Sequence, residues 1–76
     1  MHNVVDWDKQ ACNLLKSELA RRGLSYEDLR LALERIGIQK TKNNITKTIS
    51  LGKFPFSFFL QCAQAIGLTK LHISDE

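Results

Sequence analysis

Three glycine-plus-aliphatic pairs, Gly23-Leu24, Gly37-Ile38 and Gly67-Leu68, punctuate the chain, and a further glycine, Gly52, stands between the second and the third. A glycine just past an apolar stripe takes the left-handed turn that ends a helix, and the aliphatic residue after it packs back on the last turn. The chain is therefore restricted to short helices, and helices this short need neighbours to be stable. With 76 residues it has room for one domain, near the lower size at which an apolar core suffices without disulfides or metal. Hydrophobic content of 43% and charged content of 25% fit an ordinary folded domain rather than a disordered segment.

The apolar spacing between these stops predicts each helix in turn. Trp7, Ala11, Leu15 and Leu19, flanked by Cys12 and Leu14, make a stripe for a first helix over residues 7–22, with Asp6 as its cap and Arg21 and Arg22 at the negative end of its dipole. Ser25 with Asp28 three positions on is a short-armed capping box. The second helix follows to about residue 36, burying Tyr26, Leu29, Ala32, Leu33 and Ile36 and leaving Leu31 on the far side. Thr41, or alternatively Asn43, caps a third helix that ends near Leu51, with Gly52 supplying the turn. Phe54-Pro55-Phe56-Ser57-Phe58-Phe59-Leu60 opens a fourth helix to about residue 66. Its phenylalanines can stack on single-stranded bases, but so small a core needs their bulk, and packing is the expected use. Residues 69–76, weakly alternating at Leu71 and Ile73, fit a short strand, a helical turn or a tail. The fold class expected is thus all-α: a compact bundle of four to five short helices, one domain over 1–76, with its core in about 6–68.

Charge singles out the third helix. From residue 35 to residue 74 there is no Asp or Glu, while Arg35, Lys40, Lys42, Lys47, Lys53 and Lys70 are basic. Residues 35–76 hold six bases against two acids, net +4, and residues 1–34 hold five bases against six acids, net −1. A basic stretch purged of carboxylates is the electrostatic footprint of a phosphate-binding surface. At about 100° per residue, Ile45, Thr48 and Ile49 gather on one side of the third helix and Asn43, Thr46, Lys47 and Ser50 on the other. Such a polar face can hydrogen-bond to base edges or phosphates, and it can equally sit in water.

Other chemistries find little footing. Cys12 and Cys62 are too few and too far apart for a disulfide framework or a paired-ligand zinc site, and each lies among apolar neighbours, so both read as core residues. His2 and His72 lie near the chain ends, poor places for catalytic or metal groups. No acid, base and nucleophile converge and no phosphate-binding glycine loop is present, so neither enzyme activity, nor a small-molecule substrate, nor a cofactor is expected. The N-terminal residues lack a basic region followed by an apolar run, and no stretch is long enough to cross a bilayer, so a cytoplasmic location without membrane attachment is expected.

The blocks S-Y-E-D-L-R-L-A-L-E-R-I-G-I (25–38), I-T-K-T-I-S-L-G-K (45–53) and F-L-Q-C-A-Q-A-I-G-L (59–68) together resemble the lambda repressor and Cro-like (XRE-type) helix-turn-helix domains over about residues 10–68. More narrowly, R-R-G-L-S-Y-E-D-L with I-S-L-G-K-F and F-F-L-Q-C is similar to a small bacterial family of unknown function. The resemblance implies that the second helix is the support, the third the recognition helix, and the fourth the one that closes the core. It implies base contacts from Asn43, Thr46, Lys47 and Ser50 and phosphate contacts from Lys40, Lys42 and Lys53, with the Ser25 end of the second helix offering free amides to the phosphate backbone. Between Gly37 and Gly52 the chain is longer than that family usually leaves, so a longer linking turn is expected. The function implied is sequence-specific binding of double-stranded DNA by a bacterial transcriptional regulator, as a homodimer because one helix reads few bases. The alternative is a protein-interaction or dimerisation module on the same fold, using Leu31, Phe56 or the Leu71 and Ile73 tail.

Overall fold

The computed structural model describes residues 5–70. The first helix, α1, spans Trp7–Arg21 and begins where the Asp6 carboxylate accepts the Lys9 amide at 3.1 Å. It ends as the glycine stop requires: the Leu24 amide donates back to the Leu19 carbonyl at 2.9 Å, and Leu24 lies half-buried against the core. Helix α2, Tyr26–Arg35, opens with the complete capping box, Asp28 N–H to Ser25 Oγ at 3.1 Å and Ser25 N–H to Asp28 Oδ2 at 2.9 Å. The Ile38 amide closes it on Leu33 in the same way.

Helix α3, Lys42–Leu51, is capped by Thr41, whose Oγ1 accepts from the Asn44 amide at 3.0 Å, so Thr41 rather than Asn43 is the cap. Residues 36–41 separate it from α2, the long turn expected. Helix α4, Phe56–Ile66, starts after Pro55 without a side-chain cap and ends at the third glycine pair, Leu68 N–H to Ala63 carbonyl at 2.9 Å. The described residues are all-α, a small bundle of four helices. The expectation for the tail, with Leu71 and Ile73, lies outside the described residues, as do both histidines.

One core joins all four helices. Leu15 and Leu19 of α1, Leu29 and Leu33 of α2, Ile45 and Ile49 of α3 and Phe58, Phe59 and Cys62 of α4 form a single buried cluster with Cys12. The third helix packs against both α1 and α2, and α2 packs also against α4. Each fully buried aliphatic side chain contributes about 1.5–3 kcal/mol of burial, so the two isoleucines fix the orientation of α3.

Several side chains depart from expectation. Trp7, placed on the core stripe by its spacing, is 71% exposed. The buried stripe of α1 is Cys12, Leu15 and Leu19, and at its first turn the main chain of Asp8, rather than the Trp7 ring, is what meets α3, through Gly52. Ile36, expected to be buried, is exposed because α2 has already ended, and Tyr26 is only half-buried. Phe58 and Phe59 are core and Phe54 half-buried, whereas Phe56 stays in solvent against the stacked ring of Phe59. Glu18, one position from the stripe, is 1% exposed. The Arg22 guanidinium donates to its carboxylate at 2.7 Å, which is what makes a buried acid tolerable.

Candidate nucleic-acid interface

The outward face of α3 follows from its anchors. With Ile45 and Ile49 fully buried, residues on the opposite side must face solvent. Asn43, Lys47 and Ser50 are exposed. Thr46 and Thr48 are half-buried flanks on either side of the anchors, rather than the outer and inner residues their assignment to opposite faces implied. Thr46 Oγ1 donates to the Lys42 carbonyl at 2.9 Å, so its proton is spent within the helix and only its lone pairs and methyl group remain for a partner. Two further residues share the outer face, Asn44 and Leu51. The same helical projection that selects Lys47 selects them, and Asn44 doubles the amide groups on offer.

The cationic residues proposed for the backbone of a duplex are held differently. Lys42 and Lys47 are exposed. Lys40 is half-buried, its ammonium 5.6 Å from the centre of the Phe58 ring, within reach of a cation–π attraction. It borders an open cleft of about 510 Å³ between α2 and the start of α3, lined also by Arg30, Glu34, Thr41 and Asn44, where the Glu34 carboxylate lies 3.5 Å from the Arg30 guanidinium. Lys53 lies 3.8 Å from the Asp8 carboxylate. At the Ser25 end, the Ser25 amide and hydroxyl are both committed to Asp28 in the capping box. The Asp28 carboxylate takes up one donor, the Ser25 amide, and sets a negative charge beside the rest of the first turn.

Carboxylates also enter the neighbourhood from outside the acid-free stretch. Glu27 accepts two hydrogen bonds from Arg30, at 2.9 and 2.6 Å, and these hold its carboxyl below the usual range, with Lys42 adding a smaller coulombic pull. Its charge is thereby offset by Arg30 at the near end of α3. At the far end Asp6 and Asp8 border the same hollow as Ser50 and Leu51. The absence of acids along residues 35–74 is therefore a fact of the chain and not of the whole surface. The first two turns of α3 face outward as a basic and amide surface, and its last turn abuts the start of α1, where Asp6 and Asp8 stand beside Lys9 and Lys16.

Burial pushes the Cys62 thiol up to about 12, despite the opposing charge of Lys40, so it stays protonated and unreactive at neutral pH. Cys12 is likewise a buried free thiol. Among the described residues no three His, Cys, Asp or Glu side chains come together as metal ligands, and no helix is long and apolar enough to cross a membrane.

Compared with known proteins, the chain matches over residues 7–71 the family model described as Domain of unknown function (DUF6471). No curated protein and no solved structure matches it.

Proposed function

The chain belongs to the DUF6471 family, and for it we propose sequence-specific binding of double-stranded DNA, as a lambda repressor-like helix-turn-helix domain of a bacterial transcriptional regulator. The observation that carries the reading is the outer face of α3: Lys42, Asn43, Asn44 and Lys47 are all exposed on a helix pinned from behind by Ile45 and Ile49. Lys47 has no ion-pair partner among the described residues. A helix with its side chains is about 10–12 Å across, and the major groove of B-DNA, about 12 Å wide, admits it. Asparagine amides match the donor and acceptor edge of adenine, and a lysine ammonium matches the acceptors of guanine. Lys40 and Lys42 flank the start of the helix and supply the sequence-independent attraction to phosphate.

Fluorescence anisotropy on mixed-sequence duplex DNA at rising salt tests this. Binding at low salt should weaken linearly in log–log form, and reversing Lys42 and Lys47 to Glu should abolish most of it. Asn43→Ala should instead flatten preference among duplexes by about 1–3 kcal/mol per lost base contact. No measurable affinity at low salt, or affinity indifferent to salt, overturns the reading.

A second reading, a protein-contact module, draws on α4. Phe56 and Leu60 are 67% and 52% exposed, one turn apart on a helix that carries no charged residue. Light scattering separates the two readings: a tight dimer with no affinity for DNA favours this one.

A further inference from the structure

The candidate interface is lopsided, and the lopsidedness is built into the backbone. Gly52, which ends α3, is buried so closely against α1 that a Cβ placed on it would lie 1.8 Å from the Asp8 carbonyl oxygen. The start of α1 is thus fixed beside the end of α3 by main-chain contact. The approach of Asp8 to Lys53, 3.8 Å between carboxylate and ammonium, follows from that crossing rather than from the chance meeting of two long side chains. Asp6 and Asp8 border the hollow that contains Ser50, but Lys9 and Lys16 line it as well, so its charges balance and the contact that matters is the one between Asp8 and Lys53. A phosphate reaching for Lys53 would meet the Asp8 carboxylate within the same few ångströms, an exposed pair whose offset is of the order of one unit-charge interaction in water.

Resting on the DNA reading above, we infer that Asp8 sets the boundary of the nucleic-acid footprint on α3, neutralising Lys53 and confining contact to the turns that carry Lys42, Asn43 and Lys47. Lys53 then lies outside the footprint, although sequence resemblance places it within. Asp8 is a positioning residue: it touches no nucleic acid, and it determines how far along the helix the duplex can settle.

The test measures anisotropy on one mixed-sequence duplex across a salt series for the full chain, Asp8→Asn, Lys53→Ala and the double variant. Asp8→Asn should tighten binding roughly fivefold, the size of about one unit-charge interaction at 4 Å in water. It should also steepen the salt slope by about one, as a released lysine takes a phosphate. Lys53→Ala alone should leave affinity and slope unchanged, and in the Asp8→Asn background it should cancel the steeper slope. The change of slope is a readout that a merely structural role for Asp8 would not move. If the unaltered chain shows no salt-dependent affinity, the DNA reading falls and the boundary with it. If it binds, but Asp8→Asn changes nothing or Lys53→Ala by itself weakens binding, the boundary is wrong and the DNA reading stands. Should Asp8→Asn melt at the assay temperature, the Lys53→Ala result alone decides, because that side chain is exposed and its loss leaves the fold intact.

Discussion

Gly52 carries two constraints that no other residue type satisfies together. Its φ of +70° is the left-handed conformation, costing a side chain about 1–2 kcal/mol, and its missing Cβ is where the main chain of Asp8 passes. Gly23 has a similar φ of +67° with open space around it. The two positions therefore separate conformational strain from close approach. Gly23→Ala should cost about 1 kcal/mol in urea unfolding, the strain alone, whereas Gly52→Ala should cost about 3 kcal/mol or more because α1 and α3 must part. Equal losses at the two sites would show that the helix crossing is looser than the structure has it. Glu18 makes a related point about single residues: its carboxylate is buried only because Arg22 lies one turn away on the same helix.

At the scale of the element, α2 and α3 are stabilised by opposite means. The second helix begins with Glu27 and Asp28 in its first turn and has Arg35 in its last, which complements the dipole, and its capping box is complete. The third has neither an acid in its first turn nor a base in its last, and depends on Thr41 and on the burial of Ile45 and Ile49. The Ser25 amide, and then the Ser25 hydroxyl, hold the Asp28 carboxyl below its ordinary value of 3.8. A carboxylate depressed in the fold adds stability that is fully present above that ordinary value and disappears as pH falls through the folded one. Asp28→Asn should accordingly lower the melting temperature at pH 7, and the gap from the unaltered chain should narrow as pH falls below about 4. A gap constant down to strongly acid solution would exclude the capping carboxylate as its source. Ser25→Ala should cost about 1 kcal/mol at neutral pH, the usual worth of an N-cap hydroxyl.

For the whole molecule, the consequence of one cluster shared by all four helices is cooperativity. No helix retains an apolar core of its own if the others leave. Far-ultraviolet and near-ultraviolet circular dichroism should therefore trace a single coincident unfolding transition, the latter through the aromatic residues, and separate midpoints would refute a shared core. Leu33→Ala, which empties a fully buried position in the middle of that cluster, should move both signals together and cost about 2–5 kcal/mol. The same unity ties the proposed interface to the fold, since the orientation of Asn43 and Lys47 is set by isoleucines packed between α1 and α2.

The chain itself determined where helices start and stop. Asp6, Ser25 and Thr41 act within three residues of themselves, and the glycine pairs close on carbonyls one turn back, so these features are legible without knowing any partner. Asn43 and Lys47 could be placed outside for the same local reason, once Ile45 and Ile49 were taken as anchors. The exposure of Trp7 could not be read, because its spacing puts it on the core stripe, and what meets α3 at the start of α1 is the main chain of Asp8 against Gly52, more than forty residues away in sequence. Nor could the surroundings of the lysines. Separation of charge along a chain says nothing of charges that folding brings beside one another, and it is tertiary packing that sets Asp8 against Lys53, Phe58 beneath Lys40 and Glu27 near Lys42.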